Sequence, residues 1–200
     1  MRIVRACFLP LAFLLTNCDF EEDKAVQYLP INPDELIYRR GDVLAFEVDS
    51  VTTGAAIVSG YVKETEDSTH IWYELVFTDY AAKQAPSIAE VKRHRLFGRK
   101  VASSLDPAGY VTCVDIESVR NDCLTDNAAK FRLVGQVALD TTRWQLGAQG
   151  ASSEYGRFVQ AFISGRKDRQ LPPDHYDQFL SKGDKFRADE YFPVADFLVK

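Results

Sequence analysis

The chain has 200 residues, a length that suits one domain, and with 46% of them apolar and 12% aromatic it has ample material for a core. Its 29 Asp and Glu outnumber its 24 Lys and Arg, for a formal charge of −5. That balance argues against nucleic acid as a default partner, because neutralising phosphates takes a cationic surplus.

The chain opens on Arg2 and Arg5, followed by an apolar run from Ala6 to Leu15. This is the order of an export leader rather than of folded structure. The run is about half the roughly 20 residues that cross a hydrocarbon core as a helix, and Pro10 interrupts it, so no permanent span is expected. Leu15-Thr16-Asn17-Cys18 then resembles the lipobox of bacterial lipoproteins. The resemblance implies cleavage before Cys18, a diacylglycerol on its sulfur, and an acyl group such as palmitate on its new amino group. Asn17 stands where that family usually has Gly, Ala or Ser, so a plain secretory signal cut nearby, with Cys18 an ordinary thiol, is the other reading. Acyl chains contribute about 0.8 kcal/mol per buried CH₂, so a lipidated chain is held firmly on a bilayer without a transmembrane helix. Asp19 resembles the signal that retains enteric lipoproteins on the inner membrane; the other reading of Asp19-Phe20-Glu21-Glu22-Asp23 is a solvated acidic tether. The expected organisation is a signal peptide over 1–17, a tether with a short helical turn over 18–40, and one β-rich domain over 41–200.

With Cys7 in the leader and Cys18 taken by lipid, Cys113 and Cys123 remain. An even remainder in an exported chain predicts a disulfide between them, cross-linking the arms of a hairpin.

Asn32-Pro33-Asp34-Glu35-Leu36 offers an N-cap, a proline at the first helical position and acids in the first turn, so a single turn is expected there. Over 43–51, Leu44, Phe46 and Val48 alternate with Glu47 and Asp49, predicting a strand with one buried and one wet face. Thr52-Thr53-Gly54 separates it from a second strand over 55–63, a hairpin spacing. His70 to Thr78 carries apolar residues on both faces, as an interior strand between layers does. A short helix is expected at Tyr80-Ala81-Ala82-Lys83, and Ser87-Ile88-Ala89-Glu90 has capping-box spacing. The basic run over 91–100 fits a helix start or a strand. Asp106-Pro107-Ala108-Gly109 predicts a turn between strands over 100–105 and 110–119. Further strands are expected over 131–139, with Phe131, Leu133, Val137 and Leu139 on one side, then over 141–146 and 155–164, with a small, polar loop over 147–156 between them. Pro172-Pro173 to Gly183 reads as a helix, and 186–199 as a final strand broken at Pro193.

About eight strands with two or three short helices predict a mainly β domain: an antiparallel curled sheet, small barrel, half-barrel or sandwich. Tyr73, Phe77, Trp144 and Phe158 are candidates to line an apolar cavity or simply to fill it. Lys92, Arg93, Arg95, Arg99 and Lys100 are candidates to meet an anionic lipid surface, where each cation is worth about 1 kcal/mol; the other reading is a solvated face paired with acids. His70, His94 and His175 lie far apart in sequence, no serine sits in a Gly-x-Ser-x-Gly elbow, and there is no His-Glu-x-x-His, Cys-x-x-Cys or phosphate-loop spacing. No catalytic residue, metal or cofactor is therefore expected. Alternating acids such as Asp115 and Glu117 read as the wet face of a strand. The expectation is a lipid-anchored envelope protein on the periplasmic side, on the inner membrane if Asp19 acts as the retention signal, holding a lipid-like ligand or an envelope protein partner. The alternative is an envelope hydrolase with its site on loops.

Overall fold

A computed structural model of the chain describes residues 31–63, 70–102, 110–140, 145–168 and 192–200. The leader, Cys18 and the tether to residue 30, the Asp106–Gly109 turn, Trp144 and the helix expected from Pro172 lie outside those residues.

Asn32 caps a 3₁₀ turn at Pro33–Glu35, accepting the Asp34 amide at 3.1 Å, so the proline and the cap act as their positions suggest. β1 (Asp42–Asp49) and β2 (Thr52–Lys63) then form a hairpin across Ser50 and Val51. The Asp49 carboxylate accepts the Val51 amide at 2.9 Å, which closes the turn and starts β2 three residues earlier than expected. β3 (Ile71–Ala82) runs through the expected Tyr80–Lys83 helix as strand. Ala81 and Ala82 pair with Gly54 and Thr53, and the Thr78 hydroxyl donates to the Ala55 carbonyl at 3.1 Å. Long-range pairing here outweighs the helix propensity of two alanines.

Next come α1 (Ile88–Val91), β4 (Arg95–Leu96), β5 (Gly98–Ala102), β6 (Tyr110–Arg120), α2 (Asn121–Asp126) and, after a 3₁₀ turn at Ala128–Lys130, β7 (Phe131–Gln136). β8 (Gln145–Ser152), α3 (Tyr155–Asp168), β9 (Phe192–Pro193) and a 3₁₀ turn at Val194–Phe197 complete the described chain. The main sheet runs β7-β1-β2-β3-β6-β8. β3 and β5 lie end to end along one edge of β6, pairing with Glu117–Arg120 and Tyr110–Val114 respectively. β4 joins β3 to β9.

The domain is mainly β, as its sequence pattern predicts, and the seven-stranded main sheet is mixed and not closed into a barrel. The expected all-antiparallel pairing fails at one place, where β8 lies parallel to β6. Between the two the chain crosses to the far edge to form β7, so it re-enters beside β6 in the same direction.

Both faces of this sheet are covered. On one side Leu44, Phe46, Val58, Tyr73, Leu75 and Phe77 pack beneath α3, which contributes Phe158 and Phe162. On the other, Val43, Ile57, Val76, Val114 and Ile116 pack beneath Val91 of α1 and Val137, Val194 and Phe197. β1 is consequently buried on both faces through Phe46, and the expected wet face begins only at Glu47. β3 is interior, as its two apolar faces predict.

Two adjoining expectations are reversed. Residues 147–152, expected as loop, belong to β8, and residues 155–164, expected as strand, belong to α3. Phe158 and Phe162 share a face under either period; exposed Gly156, Arg157 and Gln160 with half-buried Tyr155 and Val159 mark the 3.6-residue repeat. In β7 the expected side of Phe131, Leu133, Val137 and Leu139 is split by a bulge. Leu44 pairs with Leu133 but Val43 with Gly135, which passes over Val134. Phe131 therefore packs under α3 and Val137 on the opposite face, while Leu133 is 54% exposed. A side chain at Gly135 would sit 2.8 Å from Ile88 Cγ1, so α1 can lie this close only over a glycine. Of the expected final strand, residues 186–191 lie outside the described residues; β9 ends at Pro193, which offers no amide to a ladder, and the chain turns into the 3₁₀ segment.

Candidate functional site

The basic run folds into a corner between α1 and β4. Ser87 and Glu90 form the expected capping box: the Ser87 amide donates to Glu90 Oε2 at 2.7 Å and the Glu90 amide to Ser87 Oγ at 3.2 Å. Those Ser87 donors hold the Glu90 carboxyl below its usual range. Lys92, Arg93 and Arg95 are exposed on the turn that follows. Arg99 and Lys100 continue into β5, where their backbones pair with Cys113 and Thr112.

His94, inside the same turn, is held rigidly. Its Nδ1 lies 2.7 Å from Asp79 Oδ1, the same oxygen that accepts the Arg95 amide at 3.0 Å. Its ring stands edge-on to Tyr80 at 5.1 Å, and its carbonyl accepts the Val194 amide at 2.9 Å. An ionised carboxylate only accepts, so Nδ1 carries a proton and Nε2 is the nitrogen turned away from Asp79. Asp79 thus ties the end of β3 to the start of β4 and sets the imidazole's orientation. This pairing joins residues 15 apart, and the sequence offered no motif for it.

Of the candidate cavity residues, Tyr73, Phe77 and Phe158 come together in the layer between sheet and α3, and Trp144 lies outside the described residues. Phe158 stands 4.7 Å from Phe46 and 5.1 Å from Phe77, ring centre to ring centre, and Phe77 lies 5.4 Å from Phe162. Tyr73 lies between Tyr38 and Tyr61, and its hydroxyl accepts the Ile37 amide at 2.8 Å, pinning the segment before β1. Burial pushes its phenol up. These side chains pack on one another.

The expected Cys113–Cys123 disulfide is not formed. Cys113 pairs with Arg99 and Gln145 within β6, and Cys123 lies in α2 beyond the end of that strand as a buried free thiol. Seven strand steps from Cys113 to Arg120 span roughly 23 Å, whereas bridged Cα atoms lie about 4.4–6.8 Å apart. The two cysteines sit along one strand and its helical extension and not on two arms of a hairpin. Burial, then the Asp122 charge, push the Cys123 thiol up to about 11.

Two carboxyls are drawn into the sheet, and for one of them the sequence predicts a wet face. Glu117, expected on a wet face, is 7% exposed and accepts a short hydrogen bond from the Ser152 hydroxyl. Burial raises its carboxyl and the Ser152 bond pulls it part of the way back. Glu74 lies against Gly60, where an added Cβ would meet its Oε2 at 2.5 Å. Burial raises it too, against the pull of the Arg40 guanidinium.

No protein-family model, curated protein or solved structure matches the chain. Its function has to be argued from its own residues.

Proposed function

We propose that the protein is an envelope lipoprotein: a β domain moored at Cys18 that acts by binding rather than by catalysis. The observation that carries this reading is the leader itself, Arg2 and Arg5 before an apolar run that ends at Leu15-Thr16-Asn17-Cys18. The acidic stretch from Asp19 to Asp23 directly after Cys18 is the tether this reading calls for. Because Tyr73, Phe77 and Phe158 are in contact with other rings, the reading favours recognition at the surface, with an envelope protein as partner, over an apolar ligand in the interior. Lys92, Arg93 and Arg95 offer a second contact, with anionic headgroups beside the anchor, worth about 1 kcal/mol per cation and reduced by the neighbouring Asp79 and Glu90. Asp19 favours the periplasmic face of the inner membrane.

The hydrolase alternative rests on the Asp79–His94 pair, whose orientation is what a general base needs. Cell fractionation of wild type and Cys18→Ala tests the first reading. Wild type is expected in the membrane fraction and to resist a high-salt wash, and the variant to be released from the membrane. Equal partitioning of the two would sink the anchor. Catalytic turnover of an ester or phosphoester panel that is lost in His94→Gln would instead establish the hydrolase.

A further inference from the structure

We infer that Glu117 is the latch of a proton-operated clasp: while it holds its proton, it seats β8 and the helix that follows on the sheet, and when the proton leaves, β8 and α3 lift together.

The clasp is built from three side-chain positions. Glu117 pairs across β6–β8 with Gly150, and an added Cβ there would lie 2.0 Å from Oε2 and 2.9 Å from Cδ of Glu117. The carboxyl therefore occupies the space that any other residue would fill, which accounts for a glycine in the middle of a strand. Two residues on, the Ser152 hydroxyl, itself 2% exposed, bonds to Oε1. On the other side Glu117 pairs with Leu75 of β3, an apolar neighbour.

A carboxyl so enclosed fits its site in the neutral form, and the ionised form must give up water for one hydroxyl partner. The titratable or charged groups on its side of the sheet include Asp115 on β6, Tyr73 on β3, Cys123 on α2, and Tyr155 and Arg166 on α3; Glu74 of β3 alternates to the opposite face. Asp115 shares the alternating face of β6 with Glu117, so its negative charge works against a second one there. Arg166 stands over the Phe162 ring, 5.8 Å from its centre.

Lifting β8 has a defined consequence. Only Ser153 and Glu154 separate β8 from α3, so the strand cannot leave without disturbing the helix that covers the aromatic layer. Release would expose Phe46, Phe77 and Phe97, the sheet rings that Phe158 and Phe162 now cover. The clasp does not depend on the anchored-lipoprotein reading, although an exported domain would meet the pH of its surroundings.

The test is hydrogen exchange of the full chain between pH 5 and pH 9, expressed as protection factors corrected for the intrinsic pH dependence, with bis-ANS fluorescence alongside. In wild type, β8 amides are expected to lose protection as pH rises, approaching a slope of about tenfold per unit for one linked proton, while β2 amides keep theirs. Dye fluorescence should rise over the same interval. Glu117→Gln keeps the shape without the titration and should stay closed throughout; Gly150→Ala should be open at every pH. Wild-type β8 protection that is independent of pH, or an equal slope in Glu117→Gln, would overturn the clasp. Should Gly150→Ala fail to fold, the wild-type and Glu117→Gln profiles decide alone.

Discussion

Phe158→Ala is the substitution that most severely tests the packing of α3 on the sheet. The ring is 0% exposed and lies 4.7 Å from Phe46, 5.1 Å from Phe77 and 5.5 Å from Phe131, centre to centre. Truncating a buried Phe to Ala costs about 3–5 kcal/mol, through lost transfer energy and the cavity left behind. Loss of tilted and edge-on ring pairs, each worth roughly 0.5–1.5 kcal/mol, places this site in the upper half of that range. For a chain of this size each kcal/mol moves the midpoint by about 2–4 °C, so a fall of roughly 8–20 °C is expected. Gln160→Ala is the control. A strand through 155–164 would put Gln160 on the same face as Phe158 and Phe162, whereas α3 exposes it, with its amide donating to Ser164 Oγ at 3.1 Å. On the helix this change should lie within about 0.5 kcal/mol of wild type. Urea unfolding followed by circular dichroism reads both. A loss below about 1 kcal/mol for Phe158→Ala, or equal losses for the two variants, would refute the packing argued here.

Two further expectations follow from the titratable groups and the thiols. Alkylation in denaturant without reductant should modify both Cys113 and Cys123, while in native protein Cys123 should react only as fast as α2 opens, because its thiol is pushed up to about 11 and it is buried. An intact mass about 2 Da low, with both residues refractory, would restore the disulfide. Glu74 is raised in the fold, so its contribution to stability is fully present below its unfolded value and is lost as pH rises through its folded value. Urea midpoints measured between pH 4 and pH 8 should therefore fall less steeply in Glu74→Gln than in wild type; an equal or steeper fall would contradict the shift.

What the sequence revealed and what it hid divide along local against long-range causes. Asn32-Pro33 and Ser87-x-x-Glu90 were legible because a cap is completed within a few residues. The interior position of β3 was legible because its apolar residues occupy both alternating sets. α3 was hidden because Phe158 and Phe162, four residues apart, satisfy both periods, and only Gly156, Arg157 and Gln160 around them separate a helix from a strand in a β-rich chain. β8 was misread for the opposite reason: Gly150 and Ser152 are small because Glu117 reaches into the strand, and that carboxyl is 33 residues from the glycine. The Asp79–His94 pair was hidden in the same way, since only the placement of β4 beside β3 brings the two together. The cysteine pairing failed because parity and export context predict that a bond exists without fixing distance, and β6 with α2 turned out to be continuous where a hairpin was expected.

The anchor is the claim on which the functional account depends, and the intact mass of the protein extracted from a membrane fraction tests it most directly. The account predicts a chain that begins at Cys18 and is heavier than its polypeptide by a diacylglycerol and an acyl group, with the added mass confined to the N-terminal peptide. An unmodified chain still beginning at Met1, or one cut elsewhere with Cys18 carrying a free thiol, would contradict it.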